Sequence, residues 1–165
     1  MKLENLSKSI VDIMIQLAKN EGLARLLVNN EKNPFLQPVE DKSNLIAREH
    51  PDSKIHPFPF DPDAITSDSS FVRVYHNDGE FDGSEVILET QLLIDIVVAK
   101  SLWLIDDGER SLIRPYEIMG RIIDQIGSRS LNTTIKLDIK GFRHLAVNTK
   151  FDAIRLYCEY LSIEA

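Results

Sequence analysis

Apolar residues recur at three- and four-residue steps at Leu3, Leu6, Ile10, Ile13, Met14 and Leu17, which places them on one stripe of a helix. Gly22 marks a break, and Leu23, Leu26 and Leu27 carry a second short stripe until Asn29, Asn30, Asn33 and Pro34 end it. Residues 1–32 therefore read as helix, kink, helix. The next stretch has a different chemistry. Six of the seven prolines fall in residues 33–70, including the run His56-Pro57-Phe58-Pro59-Phe60-Asp61-Pro62. Fixed φ angles and missing N–H groups exclude most regular structure there. Phe35, Leu36, Leu45, Ile46, Ile55, Phe58 and Phe60 have no use in a solvated linker, so they pack either on the chain's own domain or in a groove of a neighbouring subunit.

From Phe71 the period changes to two. Phe71 to Tyr75 alternate, Asn77-Asp78-Gly79 supplies turn chemistry, and a long strand is expected over residues 85–104. In that strand Val86, Leu88, Thr90, Leu92, Ile94, Ile96 and Val98 point to a core, while Glu85, Glu89, Gln91 and Asp95 line a wetter face. Asp106-Asp107-Gly108 turns the chain. Pro115 then suits the first turn of a helix with a buried stripe of Ile118, Met119, Ile122, Ile123 and Ile126, closed by Gly127. Strand patterns over 135–139 with 142–147, and over 151–163, end the chain, with Ile154, Leu156, Cys158 and Tyr160 sharing one face. This order predicts an α+β fold with N-terminal helices, a long Pro-rich connector, and a largely antiparallel sheet with one helix packed on it. Residues 1–165 would form a single domain: a helical segment 1–32, a connector or arm 33–70, and a sheet-plus-helix unit 71–165.

The length of 165 residues allows a core to form without disulfides or metal. A formal net charge of −7 argues against specific nucleic-acid binding. The nearest basic group, Lys136, Lys140, Arg143 and His144, is interrupted by Asp138 and divided between two faces by strand alternation. Cys158 is the one cysteine, which excludes an internal disulfide and favours an intracellular origin. Residues 1–19 lack the continuous apolar run of a signal peptide, and no stretch reaches the roughly 18 apolar residues of a membrane span, so a soluble protein with no membrane partner is expected.

Candidate chemistry is sparse. His50, His56, His76 and His144 stand at no metal-ligand spacing, and Cys158 alternates in register with core residues. Ser84, Ser101 and Ser111 lack a nucleophile elbow, and no glycine-rich phosphate loop occurs. Asp61 with Asp63, and Asp106 with Asp107 and Glu109, read as turn formers rather than cation ligands. No catalytic residue, cofactor or metal site is expected; a small hydrolase or transferase would have to rely on Asp106, Asp107 and His144. Side chains outside the expected core remain: Phe58, Phe60, Arg73, Tyr75, Glu89, Arg155, Tyr157 and Glu159 form a candidate subunit interface. The competing reading is a solvated face with cross-strand ion pairs.

Particular phrases narrow the choice. Residues 101–119 (Ser-Leu-Trp-Leu-Ile-Asp-Asp-Gly-Glu-Arg-Ser-Leu-Ile-Arg-Pro-Tyr-Glu-Ile-Met) and 151–157 (Phe-Asp-Ala-Ile-Arg-Leu-Tyr) resemble neck or tail-completion proteins of phages that infect Gram-positive bacteria. Residues 23–34 and the Pro-Phe-Pro-Phe run extend the match loosely. The chain resembles the tail-terminator group, small α+β proteins that form a hexameric ring at the head-proximal end of a phage tail. The resemblance implies a structural virion protein, assembled in the host cytoplasm, that ends the tail tube and joins tail to head. Its partners would be further copies of itself, the tail tube protein, a head-completion or neck protein, and a sheath if the tail is contractile. Genome DNA would pass through the ring without specific binding, which an acidic surface favours. Unpaired sheet edges would be covered by the next subunit, and residues 33–70 would serve as an arm between neighbours. A head-closure or adaptor protein of the same neck is the nearest alternative, followed by an acidic inhibitor or binding module.

Overall fold

The structure, a computed structural model, describes residues 3–65, 67–83, 87–127, 130–132 and 135–162; for 87–89, 130–132, 135–136 and 160–162 only the backbone is described. The fold is α+β, as the sequence order predicts. Helix α1 (Asn5–Ala18) and helix α2 (Glu21–Val28) are separated at Lys19 and Asn20 rather than at Gly22. The side chain of Asn20 accepts from the Leu23 N–H at 2.9 Å, which starts α2 as an N-cap. Gly22 lies inside α2, packed against the Arg121 side chain, and does not break the helix.

After two single 3₁₀ turns (Pro34–Leu36 and Lys42–Ile46) come strand β1 (Ile55–His56), the hairpin β2 (Ser70–Phe81) and β3 (Ile87–Ala99), and the small hairpin β4 (Leu104–Asp106) and β5 (Ser111–Ile113). Helix α3 (Arg114–Ile126), with Pro115 in its first turn, leads to β6 (Ser130–Asn132), β7 (Ile135–Ala146) and β8 (Phe151–Ser162). Among the described residues the main sheet has six strands in the order β1-β2-β3-β8-β7-β6, antiparallel except for the β1–β2 pair. The expected strand over 85–104 ends at Ala99: a 3₁₀ turn over Lys100–Leu102 breaks it, and Leu104 belongs to the separate hairpin. The two expected pieces 135–139 and 142–147 are one strand, carried through a bulge between Ile139 and Gly141.

The three helices cover one face of the sheet. Ile10, Ile13, Leu17, Leu23, Leu26, Leu27, Ile118, Ile122 and Ile126 meet Val72, Val74, Leu92, Ile94, Ile96, Val98, Ile154, Leu156 and Cys158 in one buried cluster. Each such side chain contributes about 1.5–3 kcal/mol of transfer free energy when fully buried. Ile123, expected in the α3 stripe, is instead 40% exposed, because the sheet holds a line narrower than the whole apolar set.

The connector meets one of its two alternatives at several positions and corrects one expectation about the sheet. Pro34, Val39, Leu45 and Ile55 are buried in their own chain, and Phe60 lies 5.0 Å from Phe151 and 5.9 Å from Phe71 between ring centroids. These residues of the connector therefore pack on their own chain, one of the two alternatives the sequence leaves open. The second sheet face, expected to be wet, is covered at this end, with Phe71, Val97, Ala99, Phe151 and Ala153 forming a second buried cluster against Phe60 and Ile65.

Candidate interaction surface

Strand register gathers the polar residues of the second sheet face into rows. One row crosses four strands, with Arg73 opposite Asp95, Asp95 opposite Arg155, and Arg155 opposite Arg143. Asp95 is 5% exposed. Its carboxylate accepts from Arg155 Nε at 2.8 Å and Nη2 at 3.1 Å, and from the Tyr75 hydroxyl at 2.5 Å. Arg155 Nη2 also donates to the Tyr75 oxygen at 3.2 Å. Burial and the neighbouring carboxylate push the Tyr75 phenol up to about 12, while Asp95 raises Arg155 above its ordinary value.

Arg73 takes a different environment. It is 3% exposed, and its guanidinium carbon lies 5.1 Å from the Phe58 ring centroid, 5.5 Å from Phe60 and 5.0 Å from Phe71. Burial lowers its pKa to about 10, which leaves it charged at neutral pH. Of the sequence-predicted interface residues, Arg73 and Tyr75 are thus buried, Phe60 is half-buried, and Phe58 is exposed while stacked on His56 at 5.4 Å. Arg155 and Tyr157 are half-buried, and Glu159 is exposed beside Lys140 at 3.5 Å. The backbone of Glu89 stands opposite Glu80, and its side chain lies outside what is described.

The groups expected to be chemically silent have structural partners. Cys158 is buried, and burial pushes its thiol up to about 12. Asp107 accepts from the N–H groups of Glu109 and Arg110 at 3.0 and 2.9 Å, which fixes the β4–β5 turn, and Gly108 closes that turn at φ 95°. His144 is held by Asp152 at 2.9 Å and stacked on Trp103 at 5.6 Å; His76 faces Ser9 at 3.1 Å on the helix-covered side. The two histidines do not meet.

What remains open is the rim of the sheet. β1 pairs with β2 only at Val72 and Arg73, so beyond Arg73 no described strand covers that side of β2. A groove of about 570 Å³ runs along this edge, lined by Leu6, Ile10 and Val11 of α1, by Phe58, and by Tyr75 and His76. It continues past Asp78, Glu80 and Phe81. At the opposite rim β6 pairs with β7 only at Ile135 and Lys136, leaving residues 137–146 without a described strand neighbour on that side. Phe81 and Phe142, one on each rim strand, are 62% and 57% exposed. Among the described residues, both rims of the sheet thus present strand edges with which another chain could pair.

A family model described as YomW matches residues 20–160. The chain belongs to the YomW family. That family name is of phage type and supports a phage-associated protein. No curated protein and no solved structure matches the chain. The match begins at Asn20, the cap of α2, and extends into β8, so the Pro-rich connector and both sheet rims lie inside the YomW region.

The connector also carries a pH-sensitive group of this YomW chain. His56 bonds Ser53 Oγ at 3.1 Å, and burial, with the charges of Arg73 and Lys54, lowers its pKa to about 4. Burial also lowers His76. The neutral ring is favoured in the folded state, so this contribution is complete above the unfolded value near 6.5 and is lost as pH falls towards 4. The stability difference expected over that window is about 2 kcal/mol. Urea midpoints at pH 7 and pH 4.5 should show it, and His56→Gln should flatten the slope; an unchanged slope in the variant would remove His56 as its source.

Proposed function

We propose that this YomW-family protein is a structural virion component that closes into a ring, hexameric by resemblance, at the head-proximal end of a phage tail. There it ends the tube and offers a seat for a head-completion or neck protein. The observation that carries the reading is that, among the described residues, the sheet edges at opposite rims have no strand neighbour over most of their length, since a heterologous contact between unlike edges generates rings when its rotation closes. The net charge of −7 supports a lining past which DNA slides. The phage-type family supports the setting. On this reading the chain carries no catalytic residue: the thiol is buried, and the acidic turn residues hold their own backbone.

Deleting the coding sequence from the phage is the direct test. Tail tubes of uncontrolled length and DNA-filled heads without attached tails are expected in electron micrographs of the lysate. Tubes of normal length that still fail to join heads would instead assign the chain to head closure. Normal, infectious particles would sink both.

A further inference from the structure

Resting on the ring reading, we propose that the β2 edge of one copy, residues 74–81, adds as a strand to the β7 edge of the next copy, residues 137–146. The ring would then be held by one antiparallel ladder passing from subunit to subunit.

Three observations lead to this pairing. The first is strand direction. Every step in β2-β3-β8-β7 is antiparallel, so β2 and β7 run in opposite senses within one copy. A rotation that carries the sheet on to its neighbour keeps those senses, and the β7 edge of that neighbour therefore arrives antiparallel to β2. An antiparallel junction makes the same ladder as the interior of the sheet.

The second is charge. The open β2 edge carries exposed Asp78 and Glu80, and Glu80 stands at the register position opposite Glu89. The open β7 edge carries exposed Arg143, opposite Arg155. Like charges at opposite positions repel, so each rim gains from an oppositely charged neighbour. Asp95 already serves Arg155 and Tyr75, which leaves Arg143 as the outer end of a row with three arginines and one aspartate. Lys140, nearby on β7, is by contrast already held by Asp138 at 2.7 Å and Glu159 at 3.5 Å.

The third is stagger. Asp78 shares its row with Gln91, Glu159 and Asp138, so unstaggered copies would set Asp78 against Asp138, acid against acid. Bringing Asp78 to Arg143 slides the neighbour by four register positions, since the bulge between Ile139 and Gly141 takes up one residue of β7, or roughly 13 Å along the strand. Across four strands about 4.8 Å apart, that slide inclines the strands about 35° to the ring axis, at the lower end of the 35–45° at which closed sheets sit.

Charge exchange tests the pairing on the full chain. One variant, Asp78→Lys with Glu80→Lys, reverses the β2 edge, and Arg143→Glu reverses the β7 edge. These residues are all exposed, and circular dichroism checks that both variants keep the fold. Sedimentation and native mass spectrometry should show wild-type rings, with the concentration for half-assembly raised at least about tenfold in either variant alone. An equimolar mixture should recover rings in which the two variants alternate, because each reversed edge then meets its complement. Undiminished assembly of either variant, or loss in both without recovery on mixing, overturns the edge pairing and leaves the ring reading intact. A wild-type protein that stays monomeric at millimolar concentration overturns both.

Discussion

Replacing Arg114 with alanine is expected to lower the unfolding free energy by about 3–5 kcal/mol and the melting temperature by about 10 °C. Arg114 opens α3, and its side chain is 0% exposed. Its guanidinium donates to four backbone carbonyls: Leu102 at 2.8 Å, Leu26 at 2.6 Å, Asn29 at 2.9 Å and Glu31 at 3.2 Å. Leu26 and Asn29 belong to the last turn and C-cap of α2, so the cation also sits at the negative end of that helix dipole. Its own N–H donates to Trp103, which adds the end of the β3–β4 connection. One side chain thus ties the end of α2, the residues just after it and the β3–β4 connection to α3. Burial lowers its pKa to about 10, which still leaves it charged at neutral pH. Arg114→Lys should recover less than half of the loss, because an ammonium has three donors for four acceptors. Arg114→Met keeps the stem and separates packing from hydrogen bonding. Chemical denaturation measures all three, and an alanine variant within about 1 kcal/mol of wild type would contradict this account.

Arg114 also shows where sequence reading stops. An arginine before proline at a helix start signals only a first turn, and three of its four acceptors lie 83 to 88 residues away in the chain. Local periodicity made α1, α3, β2, β3 and β8 legible, because one continuous core enforces one pattern over many residues. The hairpin β4–β5 and strand β1 are too short to leave a period. The burial of Arg73 and Tyr75 was hidden for a different reason. Their strand positions are correct for a face opposite the main core, but alternation cannot tell that Phe58, Phe60 and Phe71 fold over that face. The same cover packs Phe60 of the connector on its own chain, one of the two alternatives alternation left open. The interface candidates accordingly move to the rims, where Asp78, Glu80 and Arg143 have no distinctive sequence signal because exposed charges on strands are common.

Asp95→Ala should cost about 3–4 kcal/mol, close to the Arg114 effect but for a different reason. The lost carboxylate is the acceptor for Arg155 and for the Tyr75 hydroxyl, and it is the one acid in a row with Arg73, Arg155 and Arg143. Removing it leaves Arg73 buried among rings with no counter-charge in that row. Arg155→Met should cost less, about 2 kcal/mol, since Arg155 is partly exposed and Asp95 keeps the Tyr75 bond. The double variant should therefore be more stable than the sum of the single losses predicts, with a coupling of about 1–2 kcal/mol in a double-mutant cycle. Asp95→Asn should fall between, because it retains an acceptor for Tyr75 and loses the charge. Additive losses would mean that the buried row is held by packing against Phe60 and Phe71, and that its charges are incidental.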